Sequence, residues 1–563
     1  MSQASDFDAI IVGAGFAGIY QLKTLRDDTG LRCLVIDQAG DVGGTWYWNL
    51  YPGAMSDTES YVYRYSWDRD DLMSYPFKEH YVKQPEVLAY LEHVVERHDL
   101  RKDMRFNTEM RSAYWNEATQ KWDLVVSGDK KLSAKYLITC LGLLSKQNYP
   151  DIQGLDTFEG EMHHTARWPN ELSLDGKRIG VIGCGSTGVQ VITEIGRKVK
   201  TLTCFQRHPQ YSVPSGDAKV TPEYRQWVNE NWDQILDQVR NSVTAFGFKE
   251  SEVSYHDVSP EERERVFEES WQKGNGFRFM FGTFSDIATD IDANEGACQF
   301  IRGKIDQIVR DPGKAAKLKP YDIYARRPLC DGNASNGEKY FEQFNRDNVD
   351  IVDLKQTPIE RIERQGIRTS DGTLHELDVL IFATGFDAVE GNYTRIAIHG
   401  RDGISLKDAW EETGPTSYLG VCVPDFPNLF TLTGAKGPFT NIPPAIEVQV
   451  EFITEAIKQA EKAGAPLIEA THEAERGYSE ICEKLAAGSL FWKAEGESMI
   501  YTSSILVARP KADMVLDNWI FGANIPGKKR TLRFYFGGMK GYRGMLSECV
   551  ENGFAGFKPF VSS

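Results

Sequence analysis

Two segments of this chain share one arrangement: a short apolar run, a turn with three spaced glycines, and a helical pattern behind it. In the first, Phe7-Asp8-Ala9-Ile10-Ile11-Val12 leads into Gly13-Ala14-Gly15-Phe16-Ala17-Gly18. In the second, Lys177-Arg178-Ile179-Gly180-Val181-Ile182 leads into Gly183-Cys184-Gly185-Ser186-Thr187-Gly188. The run suits a buried parallel strand. The first glycine permits the tight turn, the second lets backbone approach a pyrophosphate, and the third lets the helix pack close to the strand. The helix N-terminus then faces the phosphate charge. The fold class expected is α/β, with two Rossmann-like dinucleotide-binding domains in one chain.

The residue that follows each second strand separates the two sites. Cys33-Leu34-Val35-Ile36 ends on Asp37, 19 residues after Gly18, where an acid binds a ribose 2'-hydroxyl. At the same offset from Gly188 stands Arg207, after Thr201-Leu202-Thr203-Cys204-Phe205, with His208 beside it. An arginine pairs with a 2'-phosphate that an acid would repel. The first site is therefore expected to take FAD and the second NADPH.

Composition narrows the remaining classes. A formal charge of −17 with no concentrated basic face argues against a nucleic-acid partner. The nine cysteines are an odd number with no Cys-x-x-Cys pair, which argues against a disulfide framework, a zinc site and a dithiol reductase. The chain reaches its first strand by Asp8 without a basic, apolar leader, and no apolar run approaches the ~18 residues of a membrane span. A soluble, cytoplasmic protein with no membrane association, no metal and no evident protein partner is expected.

Two stretches carry a more specific signal. One is Gly43-Gly44-Thr45-Trp46-Tyr47-Trp48-Asn49-Leu50-Tyr51-Pro52-Gly53-Ala54-Met55-Ser56-Asp57. The other runs from Phe158 through Gly160, His164 and Trp168 to Pro169, just ahead of the second glycine turn. They resemble the two signatures of type I Baeyer-Villiger monooxygenases, and the chain is most similar to the cyclohexanone monooxygenase group along nearly its whole length. Leu50, where the wider family has arginine, and Arg326, where it has lysine, depart from that pattern.

The resemblance implies that NADPH reduces FAD, that O2 then forms a flavin C4a-peroxide, and that this adds to a ketone to give an ester or lactone. It makes Arg327 the active-site cation and Asp57 the carboxylate that positions it. A guanidinium stays protonated and can stabilise an anionic addition intermediate, whereas a histidine would titrate. Resemblance further implies cofactor contacts at Thr45, Trp46, Tyr63, Met110, Gln190, Arg326 and Trp519, with Phe16 inside the first glycine turn. It places Phe246, Phe439, Thr440 and Phe534 along the ketone pocket. The run Phe277-Arg278-Phe279-Met280-Phe281 reads first as core and second as pocket. His164 reads as a linker residue rather than an acid-base or metal group.

The FAD-binding domain is expected at 1–145 and 380–563, and the NADP-binding domain at 146–219 and 321–379. A helical insertion is expected at 220–320, and smaller insertions near 333–338 and 494–518. Two alternatives stay open. One is a flavin monooxygenase that oxidises the heteroatom of a sulfide or amine. The other is a nucleotide-sensing flavoprotein without turnover.

Overall fold

The computed structural model describes residues 5–324, 329–330, 338–465, 467–493, 499–502, 505–508, 521–522, 525, 528 and 530–559. Arg326, Arg327 and Trp519 lie outside them, as does most of the two smaller insertions. Of the later insertion, Met499–Thr502 and Ile505–Ala508 pair as an antiparallel ribbon.

The first apolar run forms the strand Ser5–Val12, and Ala9 to Ile11 have no exposed surface, as a strand covered on both faces requires. It pairs in parallel with Cys33–Ile36 on one side and Lys130–Thr139 on the other. The long strand Lys130–Thr139 divides its free edge. Its first half pairs antiparallel with Lys121–Val126, and its last three residues pair in parallel with Leu429–Thr431. Ala397–His399 closes the far edge of this sheet by pairing with Met110–Asn116. The chain thus leaves the first unit and returns to it.

The second sheet has five strands, all parallel, in the order Val349–Asp353, Thr201–Gln206, Arg178–Ile182, Val379–Phe382 and Glu161–His164. Val379–Phe382 spans the expected boundary at 380 and pairs wholly within this sheet. The return to the first unit therefore falls after Phe382.

Residues 220–320 are helical, with no strand. Three of the helices begin on a capping side chain followed by proline: Thr221-Pro222, Ser259-Pro260 and Asp311-Pro312. Each capping oxygen accepts from a backbone amide of the first turn, and proline's missing N–H costs nothing there. On the short helix Gly276–Phe281, Phe279 and Met280 enter the core while Phe277 and Phe281, four apart, face a cavity. The aromatic run is both core and cavity wall. Among the described residues, eight cysteines from Cys33 to Cys549, other than Cys330, are free and buried, and no described helix is long and apolar enough to cross a membrane.

Candidate active site

The two glycine turns are built alike. Gly13 and Gly183 have φ of +115° and +105°. A Cβ on Gly13 would stand 2.3 Å from the Cys140 carbonyl oxygen, and one on Gly183 would stand 2.5 Å from that of Ala383. Each turn is pressed against the end of a neighbouring parallel strand, so only glycine fits. A Cβ on Gly18 would stand 1.8 Å from the Gly13 carbonyl oxygen, and one on Gly188 2.3 Å from that of Gly183. The turn Ala383-Thr384-Gly385 thus lies against the second loop, and Cys140 holds the equivalent place at the first.

A cavity of about 570 Å³ joins the two units and the helical insertion. Gly13, Gly15, Phe16 and Asp37 line it from the first turn, and Thr45, Trp46, Asp57, Tyr63 and Met110 from the loops and strand beyond. Ser186, Thr187 and Gln190 line it from the start of the second unit's helix Ser186–Ile195. Phe246, Phe439, Thr440 and Phe534 supply an apolar end together with Phe277 and Phe281. Gly18, Gly183, Gly185, Gly188, Arg207 and His208 are not on this wall. Arg207 and His208 follow the strand Thr201–Gln206, and Cys184 of the second turn donates to the His208 carbonyl, tying that loop to the glycine turn.

Asp37 is buried and accepts from the Ala14 amide at 2.6 Å and the Ala39 amide at 2.7 Å. Burial pushes its carboxyl up, and the two amides oppose that shift. Trp46 donates to the Tyr63 hydroxyl at 3.2 Å and meets that ring edge-on, while Tyr63 meets Phe16 in the same way. The glycine turn and the Trp46 loop are therefore one wall.

Gln190 joins the units. Its amide donates to the Met55 carbonyl at 3.1 Å and toward Asp57 Oδ1 at 3.4 Å, and its carbonyl accepts from the Tyr51 hydroxyl at 2.8 Å. The first signature loop thus rests on the NADP-side helix, a contact whose Tyr51 and Met55 partners the sequence does not reveal. On the insertion side, Asn441 donates to the carbonyls of Val62 and Ala245, both at 3.0 Å, and fixes the loop that carries Phe246. Phe246 stacks on Phe277 with centroids 4.0 Å apart.

His164 ends the strand Glu161–His164 and is 1% exposed. Its Nδ1 accepts from the Ala166 amide at 3.1 Å, which fixes the proton on Nε2 when the ring is neutral. The ring lies 5.0 Å from Tyr149 and 6.1 Å from Phe386, one on each stretch of chain that crosses between the sheets. Burial pushes its pKa down to about 4. His256, Asp290 and Asp292 gather at the surface, where Asp290 is already engaged in capping the helix Ile291–Ile308.

The residues present fit two dinucleotides: tight glycine turns, helix N-termini open to the cavity, an acid after one strand and an arginine after the other. A family model described as flavin-binding monooxygenase-like matches residues 8–213. A cyclohexanone 1,2-monooxygenase from Acinetobacter sp. is 49% identical over 557 residues, covering 99% of this chain and 97% of that protein. The chain belongs to the Baeyer-Villiger monooxygenase family. A crystal structure in that family, a cyclohexanone monooxygenase from Rhodococcus sp. Phi1 bound to NADP+, superposes with a TM-score of 0.93 at 48% identity, covering 100% of both chains. A phenazine N-monooxygenase from Lysobacter antibioticus is 47% identical over 551 residues, 98% of this chain and 96% of that one. Close kin of this Baeyer-Villiger monooxygenase family member therefore oxidise at nitrogen as well as at carbon.

Proposed function

We propose that the protein is an FAD- and NADPH-dependent Baeyer-Villiger monooxygenase that inserts one atom of O2 beside the carbonyl of a cyclic ketone, giving a lactone. The observation that carries this reading is the single cavity. Both nucleotide units and an apolar pocket open into it, so hydride donor, oxygen-activating ring and ketone can share one enclosure. FAD, when bound, supplies the reaction with oxygen, and NADPH supplies the hydride.

The chain's own residues do the rest. Gly13, Gly15, Phe16, Gly18, Asp37, Thr45, Trp46, Tyr63 and Met110 hold FAD. Gly183, Gly185, Ser186, Thr187, Gly188, Gln190, Arg207, His208, Arg326 and Trp519 hold NADPH. Arg327 offers a permanently charged donor to the anion that develops when the carbonyl is attacked. Asp57 orients that arginine, and Gln190 orients Asp57. Phe246, Phe439, Phe534 and the Thr440 methyl exclude water and seat a ring whose polar handle is the carbonyl. His164 couples the two crossing stretches as the units move.

The phenazine relative favours one second reading, N-oxidation of a heteroaromatic ring. Parallel incubations with NADPH and either cyclohexanone or phenazine, with products identified by mass, separate the two. Lactone as the main product supports the ketone assignment, and N-oxide without lactone would replace it.

A further inference from the structure

Arg167 reaches the cavity from the turn that follows the second-sheet strand Glu161–His164, and Arg395 from the stretch that returns the chain to the first sheet. Arg167 follows His164 in the second signature, and Arg395 precedes the strand Ala397–His399 that rejoins the first sheet. Both line the cavity. Among the described residues, several other arginines drawn from solvent are matched by acids, Arg64 by Asp71, Arg278 by Glu59, Arg302 by Glu295 and Arg401 by Glu469, while Arg225 donates to the carbonyls of Leu72 and Met73. Among the described residues, Arg167 and Arg395 form no ion pair and donate no hydrogen bond. Arg167 instead lies over the Trp48 ring, 3.6 Å from its centroid.

The acids nearest Arg167 act only through space. Asp37 has both oxygens engaged by backbone amides, and Glu109 stays beyond ion-pair reach. Burial and the like charge of Arg395 push the Arg167 guanidinium down from its ordinary value, and burial does the same to Arg395. Arg167 is half-buried and Arg395, beside it, keeps an exposed part; two like charges held together without a counter-ion, one of them drawn out of water, are costly until an anion completes the site. The anion belonging beside Asp37 is the diphosphate joined to the ribose that an acid in this position binds.

We propose that Arg167 and Arg395 clamp the diphosphate of FAD, one from a turn of the second unit and the other from the stretch that returns to the first sheet. The clamp rests on the assignment of FAD to the first unit. It makes flavin retention depend on a residue of the second signature, three positions from His164.

The test is the dissociation of FAD from the diluted holoenzyme, read by fluorescence of the released flavin at low and high salt. The variants are Arg167→Gln, Arg167→Lys and Arg395→Gln. Glutamine preserves much of the packing on Trp48 while removing the charge. Each Gln variant should raise the FAD Kd about tenfold or more, the loss typical of a charge-assisted hydrogen bond. The lysine variant should fall between, and salt should weaken FAD binding more steeply in the wild type than in the Gln variants. Kd values within about twofold of wild type for both Gln variants would overturn the clamp. So would a raised Kd with unchanged salt dependence, which marks packing rather than charge. Should Arg167→Gln unfold, Arg395→Gln decides alone, since among the described residues its side chain stacks on no ring. A wild-type protein that purifies without flavin would overturn both the clamp and the assignment beneath it.

Discussion

Gln190 of the second unit approaches Asp57 of the first, its Nε2 standing 3.4 Å from Oδ1 while the same nitrogen donates to the Met55 carbonyl at 3.1 Å. One buried amide therefore sets where the first signature loop sits relative to the helix that begins the NADP site. Gln190→Ala removes the bridge and leaves the Tyr51 hydroxyl and the Met55 carbonyl without this partner. Losing buried hydrogen bonds of this kind should lower kcat/KM for NADPH by about tenfold. Flavin content should stay at the wild-type level, and steady-state kinetics beside the flavin-to-protein absorbance ratio checks both.

The paired glycine turns make two separable predictions. Gly13→Ala would drive a methyl into the Cys140 carbonyl and should yield protein without FAD. Gly183→Ala would drive one into the Ala383 carbonyl and should leave the protein yellow, with NADPH affinity reduced by about a hundredfold. Flavin absorbance and NADPH titration of the two variants measure the effects side by side.

Most of the two nucleotide units is legible in the sequence because glycine spacing reports backbone geometry directly. Asp37 and Arg207 are legible because a fixed offset carries each to the end of a second strand. The carbonyls that press on Gly13 and Gly183 come from Cys140 and Ala383, more than a hundred residues away, and no local pattern announces them. The same distance hides Tyr51 as the partner of Gln190 and the shared cavity of Arg167 and Arg395. The split of the Phe277 to Phe281 run is a near miss: its four-residue spacing already puts Phe277 and Phe281 on one face of a helix, and only packing shows which face is the core. The strand Val379–Phe382 escapes the expected boundary because a buried parallel strand reads the same in either sheet.

His164 should be visible in the pH dependence of stability. Burial depresses its pKa to about 4, whereas the unfolded chain protonates near 6.5. The neutral ring's contribution is complete above pH 6.5 and is lost as pH falls from there toward about 4. Glu447 works in the opposite sense: burial raises its folded pKa to about 7, so its contribution is lost as pH rises from 4.5 to about 7. Comparing wild type with His164→Asn at each pH cancels Glu447. The Tm of the wild type should fall more steeply between pH 6.5 and 5 than that of the variant, and parallel curves would count against the assignment.

Phe277 stacks on Phe246 at the apolar end of the cavity. Phe277→Ala should weaken cyclohexanone binding, raising its KM by about tenfold through lost apolar contact. The same variant should turn over bicyclic ketones faster than the wild type does. Competition between the two ketones in one reaction, with products quantified by mass, reads the shift directly.

The central claim is tested most directly by incubating the purified protein with NADPH, cyclohexanone and isotopically labelled dioxygen. The account predicts a lactone that carries one labelled oxygen atom, formed in step with NADPH oxidation and lost in Arg327→Ala. NADPH consumed with hydrogen peroxide as the only oxygenated product, from a range of cyclic ketones, would contradict it.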